Sequence, residues 1–300
     1  MLALDRDRAP APIPTRSSTC PKLRPIIVNA PATDQIALLE IAADAARQAG
    51  DAILEIYAGD FVAERKADDS PVTAADLEGQ RVIIEQLRAQ VPEIPILAEE
   101  STNEPYELRK SWQRFWLVDP LDGTKEFVKR NGEFTVNIAL VEDGVPVLGV
   151  VFAPVLERMY GGGPGVGAWR REGDVAEQAI RATGTHGEAL VVVASRSHPS
   201  PATEHVLNAL PEHRLTSMGS SLKLCLVAEG LADIYPRLAP TMEWDTAAAH
   251  AVVAAAGGQV LDLEGAPLRY NKSDLKNPHF IVLGRRPVPW RSALPPGAEV

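Results

Sequence analysis

Acidic side chains stand at three separated places in the sequence where an apolar run stops or a helix begins. They are Glu99 with Glu100, Asp119 with Asp122, and Glu243 with Asp245. Hard divalent cations such as Mg²⁺ need oxygen ligands, and a two-metal site needs several carboxylates that converge on ions about 4 Å apart. If the fold brings these places together, the sequence predicts a divalent-metal centre.

The segment Asp119-Pro120-Leu121-Asp122-Gly123-Thr124 offers the densest set of oxygen ligands. Pro120 restricts the backbone, so we expect a tight bend in which both carboxylates and the Leu121 carbonyl face one point. Aspartate and glycine are also favoured in ordinary turns for backbone reasons alone. Taken alone, the segment leaves a metal site and a plain turn equally open.

The other candidate carboxylates have structural explanations beside the chemical one. Asp245 precedes a predicted helix over 246–256, where a cap or a favourable dipole partner is common. Asp76 follows Thr73 by three residues, which is the spacing of a capping box. Glu99 can simply end a strand in solvent. Only the joint occurrence of these carboxylates favours a catalytic site over separate caps and turns.

Hydrophobic periodicity predicts the elements that must position these residues. Apolar residues at three- and four-residue spacings predict a helix over 34–57 and a second helix beginning at or just after Thr73. Short apolar runs at 94–98 and 115–118 predict buried strands that end at carboxylates. The acidic residues are therefore expected at the carboxyl ends of strands.

The rest of the chain alternates between strand and helix patterns. Glu142-Asp143-Gly144 joins two β-branched runs, which predicts a hairpin, and a glycine-rich turn is expected over 161–167. Strands are predicted at 190–194, 232–235 and 259–263, and helices at 201–210, 221–230 and 246–256. This alternation predicts an α/β fold of layered type. We expect an α+β half over 34–175 and an α/β half over 176–290, followed by a tail over 291–300.

Composition excludes several classes of function. The 300-residue chain is 45% hydrophobic and 23% charged, with a formal net charge of -10, so non-specific grip on nucleic acid or an anionic membrane is not expected. No apolar run approaches the roughly 18 to 20 residues that span a bilayer. Two distant cysteines argue against a disulfide framework and favour a reducing cytoplasm. The proline-rich, basic segment 1–33 is predicted to be a disordered leader.

Four motifs together resemble those of the inositol monophosphatase superfamily of Mg²⁺-dependent, lithium-sensitive phosphatases. They are Ser-Pro-Val-Thr-Ala-Ala-Asp at 70–76, Ala-Glu-Glu-Ser at 98–101, Asp-Pro-Leu-Asp-Gly-Thr-Lys-Glu-Phe at 119–127 and Trp-Asp-Thr-Ala-Ala at 244–248. The resemblance covers residues 34 to about 284 and implies a layered αβαβα sandwich. Lys-Glu-Phe at 125–127 and Lys-Arg-Asn-Gly-Glu-Phe at 129–134 are most similar to the CysQ-type 3'(2'),5'-bisphosphate nucleotidases.

The resemblance implies a role for each acidic residue around two or three Mg²⁺ ions. Glu99, Asp119 and the Leu121 carbonyl would hold one ion, while Asp119, Asp122 and Asp245 would hold a second. Asp76 and Thr124 would orient and deprotonate the attacking water, with Glu99 assisting. The implied substrate is adenosine 3',5'-bisphosphate, whose 3'-phosphate is removed in nucleotide recycling linked to sulfate assimilation.

Substrate contacts are expected from the glycine- and serine-rich start of the helix predicted over 221–230. A hydroxyl and backbone N–H groups at a helix start can hold a phosphate, although a plain serine cap with a solvated lysine explains the spacing more simply. The resemblance implies contacts from these residues and others elsewhere: Gly123, Thr124, His198, Ser220, Lys223, Arg237 and Asp245. Two cations suit a ligand with two phosphates, because the metal ions neutralise only the phosphate that is cleaved.

Two alternatives stay open at this stage. An inositol monophosphatase or a fructose-1,6-bisphosphatase-type sugar phosphatase would use the same metal motifs on another substrate. A catalytically silent phosphometabolite sensor would keep the fold but lose part of the site, and the sequence retains all of Asp76, Glu99, Asp119, Asp122, Thr124 and Asp245. The sequence leaves the oligomeric state undetermined.

Overall fold

The chain folds into two large sheets that are separated by helices. The structure is a computed structural model that describes residues 32–65, 71–101, 104–184, 187, 189–195 and 200–297. Nearly all of the predicted leader at 1–33 lies outside the described residues. Within these residues, every helix is too short or too polar to cross a membrane.

Seven helices and one short 3₁₀ turn are present in the described residues. The helices are α1 (Ala32–Ala58), α2 (Ala74–Gln90), α3 (Tyr106–Arg109), α4 (Thr124–Val128), α5 (Pro201–Ala209), α6 (Leu222–Ala228) and α7 (Glu243–Ala255), and the 3₁₀ turn is Arg291–Ala293. The predicted helices over 34–57, 201–210 and 221–230 are confirmed by α1, α5 and α6. The second helix begins directly after Thr73, as predicted.

The strands form a small two-stranded ribbon and two larger sheets. The ribbon pairs β1 (Glu64–Arg65) with β2 (Pro71–Val72). The seven-stranded sheet contains, in spatial order, β3 (Ile96–Ala98), β4 (Arg114–Asp122), β5 (Thr135–Glu142), β6 (Val145–Ala153), β7 (Arg158–Gly163), β8 (Gly167–Glu172) and β9 (Gln178–Ala179). Only β3 and β4 are parallel in this sheet.

The second sheet has five strands and lies in the carboxyl-terminal half of the chain. Its strands are β10 (Leu190–Ser195), β11 (His213–Met218), β12 (Ile234–Arg237), β13 (Gln259–Asp262) and β14 (Phe280–Leu283), arranged in the order β11-β10-β12-β14-β13. The first three run parallel, and β14 is antiparallel to both of its neighbours.

Helices and sheets alternate in five layers. The α1/α2 pair packs on one face of the seven-stranded sheet, α6 and α7 fill the space between the sheets, and α5 covers the outer side of the five-stranded sheet. Three buried apolar clusters correspond to these interfaces. The predicted layered α/β fold is therefore confirmed, whereas the division of the chain near residue 175 stays a prediction.

Hairpin β5–β6 is confirmed, and its turn has the expected chemistry. Asp143 and Gly144 have φ values of 48° and 74°, the left-handed conformations that the two central positions of a type I′ turn need. The glycine-rich turn expected over 161–167 is shorter than predicted, because Gly161 already lies in β7. A Cβ at Gly161 would stand 2.2 Å from the ring of Trp169, so glycine is needed there for packing.

Two elements differ from the sequence prediction in ways that affect the site. Residues 119–122 do not form a separate turn, because β4 continues to Asp122. The pairing of β4 with β5 shifts between Asp119, opposite Asn137, and Asp122, opposite Thr135, so three steps on one strand match two on the other. This is the geometry of a β-bulge, which re-aims side chains next to active sites. Helix α7 begins at Glu243, three residues before the predicted start.

Helix α7 lies directly on strand β6 at Gly149. A Cβ at this position would stand 2.2 Å from the backbone oxygen of Ala248 and 2.7 Å from its Cα. Backbone atoms cannot move aside as the end of a flexible side chain can. The close approach therefore fixes the distance between the central helix layer and the seven-stranded sheet.

The first prediction concerns this contact. Gly149→Ala should lower the melting temperature by several degrees, because overpacking costs about 1–3 kcal/mol and each kcal/mol corresponds to about 2–4 °C in a chain of this size. Differential scanning calorimetry measures the change. Gly59→Ala is the matched control, since its Cβ would meet nothing closer than 3.7 Å. Equal melting temperatures for the two variants would contradict the prediction.

Candidate metal centre and active site

A cavity of about 420 Å³ opens where elements of both halves of the chain meet. Its walls come from the end of β4, the starts of α4, α6 and α7, strand β12 and the loop before β14. Most of the predicted site residues line it, namely Glu99, Asp119, Leu121, Asp122, Gly123, Thr124, Ser220, Lys223, Arg237 and Asp245. The fold thus brings residues that are far apart in the sequence into one place.

Three carboxylates converge in this cavity. Asp119 and Asp122 come from the bulged end of β4, and Asp245 comes from the first turn of α7. One oxygen from each lies within 4.8 Å of the others. Asp119 is only 1% exposed, so its charge has little access to water. Clustered carboxylate oxygens are the ligand set that a hard divalent cation prefers.

The bulge determines the direction of the Asp119 side chain. Pro120 carries no backbone N–H, and the next N–H, that of Leu121, donates to Asp119 Oδ1 at 3.0 Å. This local bond holds the carboxylate against its own strand and leaves its other oxygen directed elsewhere. Leu121 itself is buried and lines the cavity.

Asp245 is held by the backbone at the start of its helix. The Met242 N–H donates to Asp245 Oδ2 at 2.9 Å, so the carboxylate caps the helix while it faces the cavity. The neighbouring Glu243 points elsewhere, because its carboxylate accepts from the N–H groups of Asn271 at 2.6 Å and Lys272 at 3.0 Å. Of this acidic pair, only Asp245 joins the cluster.

Asp122 is held by the loop before α6. Its Oδ2 accepts from the Ser220 hydroxyl and from the Ser221 N–H, each at 2.6 Å. Ser220 has a φ of 52°, a left-handed conformation that is uncommon for a residue with a side chain. The bonds to Asp122 stabilise this strained conformation, so the loop and the carboxylate fix one another.

Polar residues of β5 extend this network into the core. Thr135 Oγ1 lies 2.9 Å from Ser221 Oγ, which donates to Asn137 Oδ1 at 2.8 Å. Asn137 is 1% exposed, and its Nδ2 has no hydrogen-bond partner within the described part of the chain. The sequence analysis did not identify Thr135 or Asn137 as site residues. A polar Asn137 inside an otherwise apolar strand was a signal that could have indicated one of them.

A second pair of side chains joins α2 to α4 beside the carboxylates. Thr124 Oγ1 donates to Asp76 Oδ1 at 3.2 Å, while Asp76 Oδ2 accepts from the N–H and hydroxyl of Thr73, each at 2.7 Å. Asp76 is therefore both the cap of its helix and the acceptor for a cavity hydroxyl. Burial raises the pKa of Asp76, and the Thr73 bonds only partly offset this.

Burial and mutual repulsion both act on the carboxylates that converge in the cavity. Burial raises the pKa of Asp119 well above its ordinary value, and the nearby carboxylates of Glu99, Asp122 and Asp245 raise it further. The pKa of Asp245 is raised for the same reasons. A divalent cation bound among these oxygens would offset the repulsion, so the residues present fit a metal ion.

Cationic residues also line the cavity. Lys223 is buried on α6, and its Nζ donates to the Ser220 carbonyl. Burial lowers the pKa of Lys223 to about 8, although the Asp122 carboxylate partly compensates. Arg237 donates from Nη2 to the Pro240 carbonyl at 3.0 Å, and its buried Nε has no partner among the described residues.

The last predicted contact, His198, lies outside the described residues, so nothing is concluded about its position. Ser195 lines the cavity and is the last described residue before it in the chain. The structure also places Lys276 on the cavity wall, which sequence reasoning missed. No motif surrounds Lys276, so no sequence signal pointed to it.

The fold and the carboxylate cluster together define an α/β protein suited to bind divalent cations beside a polar substrate. The profile of the Inositol monophosphatase family matches residues 34–285. The chain belongs to the inositol monophosphatase family, whose members are metal-dependent.

Two relatives share more than half of their aligned residues with this chain. The 3'(2'),5'-bisphosphate nucleotidase CysQ of Salmonella typhimurium is 53% identical over 249 residues, covering 82% of this chain and 99% of the relative. The protein of the same name from Escherichia coli K12 is 52% identical over 251 residues, with the same coverage.

Solved structures show the same relationship. A crystal structure of CysQ from Bacteroides thetaiotaomicron, a bacterial member of the inositol monophosphatase family, gives a TM-score of 0.75 at 44% identity and covers 84% of this chain and 98% of that one. An inositol monophosphatase from Anabaena gives 0.64 at 27% identity, covering 83% of this chain and 91% of its own.

The second prediction follows from the repulsion around Asp119. Its pKa is raised in the folded chain, so the folded state binds a proton that the unfolded state releases above about pH 4, and stability is lost as the pH rises. Without metal, Asp119→Asn should therefore raise the melting temperature at pH 8 more than at pH 5. The variant has to be compared with the wild type at each pH, because His250 also makes stability depend on pH. The pKa of His250 is lowered to about 4, so its contribution makes the folded state less stable as the pH falls below about 6.5, in both proteins.

Calorimetry with and without MgCl₂ completes this test. Mg²⁺ should raise the melting temperature of the wild-type protein by several degrees and that of Asp119→Asn by much less, because a ligand that binds only the folded state stabilises it. Asp44→Asn, on the exposed face of α1, serves as the control carboxylate. A Mg²⁺ response of Asp119→Asn equal to the wild type would exclude Asp119 as a metal ligand.

Proposed function

We propose that the protein is a Mg²⁺-dependent nucleotidase that hydrolyses the 3'-phosphate of adenosine 3',5'-bisphosphate to give AMP and inorganic phosphate. The observation that carries this proposal is the Thr124–Asp76 pair beside the cluster of Asp119, Asp122 and Asp245. The names of the CysQ relatives supply the substrate class. The reaction consumes one water, which breaks the phosphorus–oxygen bond and returns a hydroxyl to the ribose.

The residues that would hold Mg²⁺ are Glu99, Asp119, Asp122, Asp245 and the Leu121 carbonyl, in two or three ion sites. When bound, Mg²⁺ supplies positive charge that offsets the charge of the phosphate oxygens and of the leaving oxygen. The chain supplies the converging carboxylates that fix this charge in place. Burial and the neighbouring carboxylates raise the pKa of Asp119, and a bound cation would offset both effects, which supports a metal ion here.

Asp76 and Thr124 would handle the proton of the attacking water. The Thr124 hydroxyl donates to Asp76 Oδ1, so its own oxygen lone pairs are free to accept from a water in the cavity. Proton transfer through this hydroxyl would end on Asp76. Burial raises the pKa of Asp76, which makes the carboxylate a better proton acceptor.

The substrate contacts follow the sequence prediction. Lys223 and Arg237 would meet the nucleotide on the cationic side of the cavity, and Gly123 and Ser220 would contact it from the loops before α4 and α6. His198 belongs to this proposed set on sequence grounds alone. A reducing cytoplasm also stays a prediction; Cys225 is buried and forms no disulfide with another described residue.

The third prediction is a substrate panel. With Mg²⁺, the purified protein should release phosphate from adenosine 3',5'-bisphosphate at a kcat/KM at least about tenfold above that for inositol 1-phosphate or fructose 1,6-bisphosphate, since one charged contact contributes about 1.5–3 kcal/mol. A phosphate-release assay at fixed ionic strength measures this. A reversed preference would assign the chain to the inositol or sugar phosphatases of the same family.

The fourth prediction isolates the proposed proton path. Thr124→Val keeps the shape of the side chain but removes the hydroxyl, so kcat should fall by about 10²–10⁴ while KM changes little. Thr124→Ser keeps the hydroxyl and should retain most of the activity. The Mg²⁺-induced rise in melting temperature should be unchanged in both variants, which separates catalysis from metal binding. Full activity of Thr124→Val would exclude this path.

A further inference from the structure

Four cationic side chains line the cavity, and they differ in the hydrogen bonds and ion pairs that they already make. Lys223 donates to the Ser220 carbonyl and faces the Asp122 carboxylate. Lys125 already has an interaction partner. Lys276 is exposed, and its ammonium group has no hydrogen-bond or ion-pair partner within the described ranges. Lys276 is therefore the cavity lysine whose charge is available to a ligand.

The backbone of Lys276 is fixed at the wall of the cavity. Lys276 pairs with Met242 in an isolated β-bridge, and its N–H donates to Asp274 Oδ1 at 3.0 Å. The adjacent Asn277 is buried and donates from Nδ2 to the Met242 carbonyl at 2.7 Å and to Thr246 Oγ1 at 3.0 Å. These bonds tie the base of the Lys276 side chain to the start of α7, so its reach into the cavity begins from a defined point.

Lys276 and Arg237 are attached to the same segment of the wall. Arg237 bonds to the Pro240 carbonyl, and Lys276 pairs with Met242, only two residues further along the chain. Only Thr241 separates the two residues, Pro240 and Met242, to which Arg237 and Lys276 are bonded, and all three of these wall residues line the cavity. None of these three wall residues is charged, and the Met242 N–H donates to Asp245 Oδ2 at 2.9 Å, so the wall adjoins the carboxylate cluster.

A substrate with two phosphates needs two different environments. The phosphate that is cleaved lies at the carboxylates of Asp119, Asp122 and Asp245, where a metal ion is required. The same carboxylates repel a second phosphate that has no metal ion of its own. The second phosphate must therefore be held by cationic side chains, and Arg237 and Lys276, which are bonded to the 240–242 wall, provide them.

We propose that Lys276 binds the second phosphate of the nucleotide, together with Arg237, and so selects bisphosphorylated over monophosphorylated substrates. This inference rests on the proposed nucleotidase function and adds a specificity-determining residue to it. Lys276 would make no contact with the phosphate that is cleaved. Its removal should therefore weaken binding of the 5'-phosphate without slowing the chemical step.

The fifth prediction compares adenosine 3',5'-bisphosphate with adenosine 3'-monophosphate, which lacks the second phosphate. Lys276→Gln should raise KM for the bisphosphate about tenfold and leave its kcat within about twofold, since the lost ion pair is partly exposed. The kcat/KM for the monophosphate should stay within about twofold of the wild-type value. Lys276→Arg should restore the preference because the charge is kept.

Lys110→Gln is the matched control. Lys110 is an exposed lysine at the end of α3, where it pairs with Glu107, and it does not line the cavity. Equal losses on both substrates, or no loss in Lys276→Gln, would overturn the assignment of Lys276. A wild-type enzyme that prefers inositol 1-phosphate would instead overturn the proposed function.

Inhibition by AMP and by adenosine tests binding of the 5'-phosphate even if the enzyme does not hydrolyse nucleotides. The inhibition constants can be measured with any substrate that the enzyme hydrolyses. The inhibition constant of AMP should rise about tenfold in Lys276→Gln, and that of adenosine should not change. If the wild-type protein binds AMP no more tightly than adenosine, Lys276 holds no 5'-phosphate. That result would overturn the inference whatever substrate the enzyme prefers.

Discussion

Mutual repulsion among carboxylates that converge in one cavity is the constraint on which the rest of the structure depends. Asp119, Asp122 and Asp245 each direct an oxygen into a region less than 5 Å across, as their 4.8 Å limit shows. Such a group is destabilising unless hydrogen bonds and positive charge offset it. Each carboxylate accordingly receives a backbone N–H, from Leu121, Ser221 or Met242.

These donors come from three different elements, and this explains the layered arrangement. Strand β4 supplies two carboxylates through its bulge, the loop before α6 supplies donors to one of them, and α7 supplies the third carboxylate. Because α6 and α7 lie between the two sheets, both ends of the cluster rest on buried elements. The carboxylate cluster is thus a product of tertiary packing, since no single element contains it.

Much of this arrangement could be predicted from the sequence, and the reasons differ by element. The amphipathic periodicity of α1 and the turn residues of β5–β6 are local signals, so these elements were predicted correctly. The continuation of β4 through Pro120 could not be predicted, because a bulge depends on the register of its partner strand. Strand β11 lies at the edge of its sheet, contains no buried residue and carries no apolar alternation, so the sequence did not predict it.

The site shows the same division between local and tertiary information. The motif residues could be predicted because their types and order resemble a known family. The contact between Thr124 and Asp76, which are 48 residues apart, depends on how α2 packs beside β4. The wall position of Lys276 depends on a bridge to Met242, which no local pattern encodes. Asp245 began as a plausible helix cap, and the structure shows that it caps the helix and faces the cavity at once.

The contact of Gly149 with Ala248 has a consequence for how substrate enters and product leaves. Helix α7 touches the backbone of β6 with no side chain between them, and the same helix carries Asp245. Helix α7 therefore cannot swing away from β6 without carrying Asp245 away from Asp119 and Asp122. Ligands are accordingly expected to exchange with solvent through the mouth of the cavity while α7 stays in place on the sheet.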